Sequence, residues 1–398
     1  MKQPLPVTVP IMDDIEIASG ADAIAALRPL WHDVTVAARG AGAFERFELV
    51  AAAARLAERR GDEPFVAVIR DKGRPVTLLA LRRERLFGAR VAVPIAYPLA
   101  QYTDVVGEAL TAHGLDRLCR RLARNGTDIV LIRRVREDGG LHGALSQRAR
   151  SQRAHDTACY IDLASFGTFA DYEGSFSART RRNRRQRQQR FEANAGPLEF
   201  EMLRGNDAVL ALDAALTWKR KWLAERGVSS PVFDLGGWER LLREAVAASG
   251  AVVSALKAGD RLAAVEAGFI ENTTYISYLG AFDPEFSSFS PGQLQMMGTI
   301  AWCFDHGFTR YDLLAPSDDY KRHWARKDTG VKVDDYALAL THVGRGIAEV
   351  RRHVRPLARD LYLKLSPEMR VAGGRYGVPA AAVAAAAAAA SVVIAVIE

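Results

Sequence analysis

The sequences LAAVEAGFI at Leu262–Ile270 and TYISYLGAF at Thr274–Phe282 are alternating apolar runs separated by a three-residue turn. Such runs predict two neighbouring β-strands. The segment SPGQ at 290–293 then opens a stretch with apolar residues at helical spacing, which ends at Gly307, and the apolar run Phe308–Leu314 follows it. Serine is favoured at the N-cap of a helix and proline at its first position. This order of strands and helix predicts an α/β fold.

The helix start at 290–293 is a candidate phosphate site. The first backbone N–H groups of a helix have no partner inside the helix, so a helix that follows a strand binds anionic groups readily. We therefore assign Ser290, Pro291, Gly292 and Gln293 as candidate cofactor-binding residues. The segment lacks the glycine density of a standard nucleotide loop, and an ordinary helix start is the alternative interpretation.

Two carboxylates are candidate general bases. Glu266 is the only charged residue in its run, and burial would raise the pKa of its carboxyl group toward neutrality, which suits a base. The alternative place for Glu266 is the solvent face of an edge strand. Asp312, on the return strand, is the second candidate, and its alternative role is a structural bond to neighbouring backbone.

A polar cluster after the return strand supplies two more candidate catalytic residues. Lys321 could place a cation beside an oxyanion, and Tyr320 could donate a proton to a leaving group. The alternative is a solvated helix start that is capped by Asp318 or Asp319. No residue has the signature of a nucleophile, so the sequence favours direct attack by an acceptor over a covalent intermediate.

The positive charge of the chain is concentrated in one segment. The stretch Arg179–Arg190 contains seven of the 54 Lys and Arg residues and no acid, and the other 47 equal the 47 Asp and Glu residues in number. Such a helix is a solvated connector, a nucleic-acid contact, or a groove wall that attracts an anionic substrate or cofactor phosphates. Because no aromatic residue is interleaved with the arginines, the groove wall is favoured over nucleic acid. We assign Arg182 and Arg185 as candidate cofactor contacts.

Aromatic and acidic residues are candidates for binding the acceptor. Trp218 and Trp222 lie four residues apart and would share one helix face, where they either pack in the core or line an acceptor cleft. We assign both as candidate substrate-binding residues, together with Tyr278 and Asp319.

A set of short motifs resembles the GNAT-fold acyltransferases of the cellulose-biosynthesis acetyltransferase (CelD/BcsL-like) type. The resemblance is strongest over Cys159–Trp324, is weaker over Trp31–Ala158, and departs from the family at Ala315-Pro316, where an Arg-Gly pair is more usual. The motifs are Gly268-Phe269, Tyr278, Phe282-Asp283-Pro284, Ser290-Pro291-Gly292, Gly307, Tyr311-Asp312 and Tyr320-Lys321-x-x-Trp324, with the arginine-rich helix upstream.

This resemblance implies a function and a cofactor. The expected reaction is direct transfer of an acyl group from acetyl-CoA or a longer acyl-CoA to an amine or a hydroxyl, without a metal. The pyrophosphate of coenzyme A would bind at 290–293, and Tyr320 would protonate the leaving thiolate. The acceptor would be a small molecule or a glycan of polysaccharide or cell-envelope metabolism.

The order of predicted elements repeats along the chain. We expect two tandem GNAT-like halves, each a mixed central sheet flanked by helices, joined by a long arginine-rich helix from about Thr168 to Asn194. The predicted boundaries are residues 1–163, 164–198 for the connecting helix, 199–343 for the catalytic half, and 344–398 for a basic helix and an alanine-rich tail.

Composition indicates a cytoplasmic protein. Three isolated cysteines form neither metal-ligand spacing nor a disulfide framework, and the N-terminus lacks the apolar core of a signal peptide. The uncharged stretch Val378–Ile397 is long enough to span a bilayer, but eleven of its residues are alanine, so membrane association and a water-stable helix are both open.

The sequence is also compatible with two other functions. A Fem-type transferase also pairs two GNAT-like halves but takes its acyl group from aminoacyl-tRNA, and the arginine-rich helix would then contact tRNA. The sequence shows no heptad segment for the coiled-coil arm that such enzymes usually carry. A non-catalytic scaffold that binds anions or is tethered to a membrane is the third possibility, supported by Ala315-Pro316.

Overall fold

The computed structural model describes residues 14–38, 40–86, 88–149, 156–228, 230–234, 236–248 and 250–364. The strands are β1 (Asp14–Ser19), β2 (Glu63–Asp71), β3 (Arg74–Leu86), β4 (Ala89–Pro94), β5 (Val106–Gly107), β6 (Ile129–Arg136), β7 (Asp156–Asp162), β8 (Leu198–Leu203), β9 (Val252–Ala258), β10 (Arg261–Glu271), β11 (Thr274–Phe282), β12 (Arg310–Asp312) and β13 (Gly330–Ala339). The helices are α1 (Ala21–Ala26), α2 (Arg28–Ala37), α3 (Phe47–Arg59), α4 (Ala112–Arg124), α5 (His142–Arg148), α6 (Phe169–Gly174), α7 (Ala178–Ala195), α8 (Gly205–Glu225), α9 (Pro231–Asp234), α10 (Trp238–Ala247), α11 (Pro291–Asp305), α12 (Asp319–Ala325) and α13 (His342–Lys364).

The first compact unit contains the described residues up to 149 together with Val331–Ala348. Its strand order is β1-β2-β3-β4-β6-β13, and β5 pairs with β3. Neighbouring strands are antiparallel except β4 and β6, which are parallel and are connected through α4. A parallel pair requires such a crossover because its strands run in the same direction. Apolar residues of α4, including Leu115, Leu118 and Leu122, pack on this sheet to form the core of the unit.

The second compact unit begins at Asp156, and within the range to Gly330 it repeats this topology. Its strand order is β8-β9-β10-β11-β12-β7, with β11 and β12 as the parallel pair and α11 as the crossover helix. Each unit therefore has strand, helices, three antiparallel strands, helix and strand in the same order. This confirms the predicted fold class of two tandem GNAT-like halves, each a mixed sheet flanked by helices.

In each sheet, the strand at one end is separated in sequence from the other strands of that sheet. Strand β7 precedes the other strands of the second unit and pairs with β12, whereas β13 follows the second unit in sequence and pairs with β6 of the first. The compact units therefore differ from the boundaries expected at residues 163 and 199. A strand belongs to the sheet in which its backbone is hydrogen-bonded, and position in the sequence does not determine that.

The arginine-rich segment is two helices, and the expectation of one long helix from Thr168 to Asn194 is wrong. Helix α6 ends at Gly174, and α7 begins at Ala178, where the Ser177 side chain accepts the Thr180 N–H as an N-cap. An N-cap serine favours a new helix start, which explains the break. Helix α7 lies within the second unit, where it packs on β9 and on the 3₁₀ segment Pro284–Phe289.

The tail Val378–Ile397 lies outside the described residues, so its expected membrane role has no structural counterpart here. Within the described part of the chain, no helix combines the length and the apolar character needed to cross a bilayer.

Candidate active site

Glu266 lies at the centre of a buried cluster of hydroxyl groups on the second sheet. Its side chain is 3% exposed. The Tyr311 hydroxyl donates to both carboxylate oxygens, at 2.7 and 2.8 Å, and Ser277 Oγ donates to Oε2 at 2.9 Å. Burial raises the pKa of the Glu266 carboxyl, and the hydroxyl groups of Tyr311, Ser277 and Tyr275 oppose that shift. Glu266 is therefore not on the solvent face that the sequence left open as its alternative.

A bulge in β11 brings the hydroxyl groups to Glu266. The β10–β11 register pairs Ala267 with Leu279 and Gly268 with Ser277, so Tyr278 is skipped. An extra residue in one strand moves all later side chains to the opposite face of the sheet. Ser277 and Tyr275 therefore point to the same face as Glu266.

Gly268 makes room for this arrangement. A Cβ atom at this position would lie 2.4 Å from the Oη and Cζ atoms of Tyr275. The Tyr275 ring is fully buried and stacks on Tyr311, with 5.1 Å between the ring centroids. Glycine is required because the tyrosine ring crosses β10 at this point.

Helix α11 covers the face of the sheet that carries Glu266. Ser254 of β9 lies directly opposite Glu266 in the β9–β10 register. The Ser254 hydroxyl is bonded to two α11 side chains, Gln295 at 2.6 Å and Thr299 at 2.9 Å. This buried polar network fixes the height and rotation of α11 above the strands, because each of its members would be costly to leave unpaired.

The predicted phosphate site is the first turn of α11. Ser290 is at the N-cap and Pro291 is the first helical residue, as expected, but Ser290 has a left-handed backbone (φ 53°) and its side chain makes no capping bond. Gly292 is half-buried beside Phe282. Gln293 Oε1 accepts a hydrogen bond of 3.0 Å from Arg187 of α7. The start of α11 therefore lies beside one arginine of the charged helix.

The arginines of α7 lie on different faces of that helix. Arg184 and Arg187, three residues apart, point inward, whereas Arg182 and Arg185 lie on another face and are exposed. Arg184 is 9% exposed, and its guanidinium lies over the rings of Phe176 and Trp324, at 4.7 and 5.2 Å from their centroids. Of the arginines of α7, the structure therefore brings Arg187 to the start of α11, and it does not bring the predicted Arg182 and Arg185 there.

Asp312 and Lys321 hold the turn that follows β12. Asp312 Oδ1 accepts the N–H of Leu314 at 2.7 Å, as in the alternative role considered from the sequence, and Leu314 has a left-handed backbone (φ 63°). The Lys321 ammonium donates to the carbonyl oxygens of Leu314 and Pro316, at 3.0 and 2.9 Å. These contacts assign both residues to the support of the turn.

Tyr320 is the residue of the polar cluster that points toward the buried site. Its hydroxyl lies 3.8 Å from Met296 Sδ of α11, although half of the side chain surface is exposed. Burial of the phenol raises its pKa, and the charge of Glu266 adds to the shift. Asp318 caps α12 through the Lys321 N–H, and Asp319 is fully exposed and pairs with Arg322. Asp319 thus points to solvent.

The remaining predicted substrate residues are divided between α8, which carries Trp218 and Trp222, and β11, which carries Tyr278. Trp222 is 36% exposed, and its ring lies between the cations of Lys219 and Arg226, each 4.5 Å from the ring centroid. Trp218 is half-buried on the same helix. Tyr278, the bulge residue, packs edge-to-face on Phe269. Trp222 is therefore partly accessible to a ligand, but the two cations that it contacts come from α8 and from the residue that follows it.

Sequence reasoning missed three residues of the site: Ser277, Tyr311 and Arg187. Ser277 is the only serine in its run, but the bulge that turns it toward Glu266 has no sequence signature. Arg187 lies four residues before Phe191, whose apolar side chain is the one signal in the segment for a buried face. Among the described residues, no cluster of His, Cys, Asp and Glu side chains could hold a metal ion.

Comparisons with known proteins agree with this geometry. Residues 178–322 match the family model of an acetyltransferase (GNAT) domain. No curated protein sequence is significantly similar to the chain. The crystal structure of FemX matches with a TM-score of 0.52 and 10% identity, covering 75% of this chain and 92% of its own.

Two further solved structures resemble the chain. A conserved protein of unknown function from Bacteroides thetaiotaomicron VPI-5482 has a TM-score of 0.51 and 14% identity, covering 79% of this chain and 97% of its own. A tandem GNAT protein from the clavulanic acid biosynthesis pathway has a TM-score of 0.46 and 13% identity, covering 82% and 99%. FemX and the Bacteroides protein share the fold of this chain. Residues 178–322 form a GNAT acetyltransferase domain, and this domain identifies the protein as an acyltransferase.

Proposed function

We propose that the protein transfers an acyl group from acetyl-CoA or a longer acyl-CoA directly to an amine or hydroxyl acceptor, at a site in its second unit. One observation carries this proposal. Strands β11 and β12 are paired only over Thr274–Ile276 and Arg310–Asp312, and β11 continues to Phe282 before the chain enters α11. The last six residues of β11 thus extend beyond the end of β12, toward the start of α11.

The edge of β11 that extends beyond β12 and the nearby start of α11 suit two parts of coenzyme A, the pantetheine arm and the pyrophosphate. The amide groups of the pantetheine arm can bond to the backbone of a strand that extends past its neighbour, as peptides do at sheet edges. The pyrophosphate then reaches the first turn of α11, where the helix dipole and free N–H groups favour negative charge. Arg187, bonded to Gln293, adds a cation at the same place.

The equivalent helix of the first unit differs at this point. Helix α4 is capped by Thr111, whose Oγ accepts the Gly114 N–H at 3.0 Å. A cap side chain satisfies a donor that a phosphate would use. No side chain caps α11 in the described structure, which supports placing the acyl-CoA site in the second unit.

The side chains of the second unit suit acyl transfer. Tyr320, whose pKa is raised, remains protonated at neutral pH and can give its proton to the departing thiolate. Glu266 is buried among hydroxyl groups, and its raised pKa suits a proton acceptor. Lys321 and Asp312 keep the turn before α12 in place, and thereby position Tyr320.

Binding of acyl-CoA to the first turn of α11 is the test. Gly292→Glu places a carboxylate beside the phosphates, and its Cβ fits, because the nearest atom, Phe282 Cδ1, is 3.4 Å away. By calorimetry, wild type should bind acetyl-CoA, longer acyl-CoAs and desulfo-CoA, and Gly292→Glu should bind none of them. The matched control is Leu210→Glu, which adds the same charge at an exposed position of α8. Equal affinity in both variants would rule out this site.

The acceptor class is proposed on the motif resemblance described above. By its resemblance to the CelD/BcsL-like type, the protein would act in the cytoplasm on a glycan or a small molecule. The acceptor would belong to polysaccharide or cell-envelope metabolism. A screen of amino sugars and polysaccharide fragments, with release of free thiol from acetyl-CoA as the readout, tests this class.

A Fem-type transfer from aminoacyl-tRNA is the second candidate. The shared fold with FemX and the exposed arginines of α7 favour it. Tight tRNA binding that weakens steeply with salt, and that is lost when Arg182 and Arg185 are both changed to Gln, would favour this function over acyl-CoA.

A further inference from the structure

Glu266 cannot touch a substrate directly. Its side chain is 3% exposed, and its carboxylate oxygens face the hydroxyl of Tyr311, which is itself fully buried. A group that removes a proton from an acceptor must come within hydrogen-bond reach of it. Any proton that reaches Glu266 must therefore arrive through one of its hydrogen-bond partners.

Ser277 is the partner that leads outward. Its hydroxyl is 2.9 Å from Glu266 Oε2, and the residue is only half-buried. In β11 it is the first residue beyond Ile276, the last one paired with β12. Ser277 thus lies where the two parallel strands begin to diverge, at the inner end of the region assigned above to the acyl-CoA arm.

We propose that the Ser277 hydroxyl carries the proton of the acceptor to Glu266 during acyl transfer. The proposal rests on the acyltransferase function proposed above and names the proton path of that same site. Tyr311 is a positioning residue in this scheme, because it holds the Glu266 carboxylate toward Ser277.

The step balances in protons and electron pairs. The acceptor N–H or O–H proton passes to Ser277 Oγ while the Ser277 proton passes to Glu266 Oε2. The lone pair left on the acceptor forms a bond to the thioester carbon, and the carbonyl electron pair moves to oxygen. When the carbonyl re-forms, the C–S bond breaks and the thiolate takes the Tyr320 proton. The proton on Glu266 then returns through Ser277 to the Tyr320 phenolate, so the net change is acyl transfer and one free thiol.

The surroundings of Glu266 make its carboxylate a stronger base than an exposed one. The titratable groups that face it are Tyr275 of β11, Tyr311 of β12, Cys303 of α11 and Tyr320 of α12. Burial raises the pKa of all four, so each stays uncharged at neutral pH. None of these four neighbours carries a positive charge that would lower the pKa of Glu266. The effect of burial, which raises that pKa, is therefore not cancelled by a cation among them.

The test compares Ser277→Ala with Ser277→Thr, which keeps a hydroxyl on a β-branched side chain that strands accept. Thiol release from acetyl-CoA is followed from about pH 5 to 9 with glucosamine, hydroxylamine and water as acceptors. Ser277→Ala should lower kcat by about 10²- to 10⁴-fold, the usual contribution of a positioned acid or base, with unchanged affinity for acetyl-CoA. It should also lose the rise in rate with pH that wild type owes to Glu266. Ser277→Thr should restore both.

The control is Ser165→Ala, which removes an exposed hydroxyl bonded to the Asp162 carbonyl and should leave rate and pH profile unchanged. A Ser277→Ala enzyme that keeps the wild-type rate, or that keeps the wild-type pH profile at a reduced rate, overturns the proton path but leaves acyl transfer intact. A wild type that neither binds acetyl-CoA nor releases thiol overturns the acyltransferase proposal itself, and the proton path with it.

Discussion

Gly268→Ala should destabilise the second unit by a predictable amount. The added Cβ would lie 2.4 Å from two atoms of the Tyr275 ring, whereas carbon atoms in contact are about 3.5–4.0 Å apart. The ring is fully buried and stacked on Tyr311, so it cannot turn into solvent. Overpacking of this kind costs about 1–3 kcal/mol, offset by roughly 0.5–1 kcal/mol gained when alanine replaces glycine in a strand. A 2.4 Å contact with a ring that cannot move aside puts the overpacking cost in the upper part of its range, so the net loss is about 1–2 kcal/mol.

Thermal unfolding measures this loss. A change of 1 kcal/mol shifts the Tm of a unit of this size by about 2–4 °C, so Gly268→Ala should unfold roughly 2–8 °C below wild type. Gly280→Ala is the matched control, because Gly280 is exposed on the neighbouring strand and no atom lies within 4 Å of the added Cβ. Its Tm should equal or exceed that of wild type. Equal Tm values for the two variants would show that the tyrosine ring does not require a glycine beneath it.

Three further changes test other parts of the site. Lys321→Met should lower both Tm and kcat, because it removes a charged donor from two carbonyl groups, and the loss of stability should be about 1–3 kcal/mol. An unchanged Tm with a roughly 10²-fold lower kcat would instead support an oxyanion role. Arg187→Gln should raise the KM for acyl-CoA about 10- to 100-fold and flatten the salt dependence of KM. Arg185→Gln, on the exposed face of α7, should change neither. Equal effects of the two variants would show that Arg187 is not a specific phosphate contact. His323→Gln should lessen the loss of stability in acid, measured as urea midpoints above and below pH 6.5. Burial, with the charges of Arg326 and Arg184, lowers the pKa of His323 below its usual 6.5, so the unfolded chain binds this proton first and wild type loses stability as the pH falls through that value. The same pH dependence in both proteins would contradict this assignment.

Local sequence patterns predicted the elements but not the contacts between distant segments. The alternating runs correctly predicted β10 and β11, and the SPGQ segment correctly predicted the start of α11. The bulge at Tyr278 could not be predicted, because it depends on how two strands pair and not on either strand alone. It decides which hydroxyl groups meet Glu266.

Charge was the least informative signal. Seven arginines in one segment indicated a solvated or ligand-binding surface. The structure buries Arg184 between Phe176 and Trp324, and Trp324 lies 140 residues further along the chain. A cation that packs on aromatic faces can be buried without an acidic partner, and no pattern within the helix shows where those rings come from.

The exchanged end strands determine when each sheet can be completed during synthesis. Strand β6 of the first unit pairs with β13, and its Ile129 meets Ala339, which the ribosome makes more than 200 residues later. At about 5–20 residues per second, the first sheet waits roughly 10–40 s for its last strand. Until then the β6 edge has an unfilled row of backbone donors and acceptors that can pair with other chains. A fragment that ends at residue 163 would keep that open edge permanently and would carry away β7, so each half cut from the chain at that point should aggregate rather than fold.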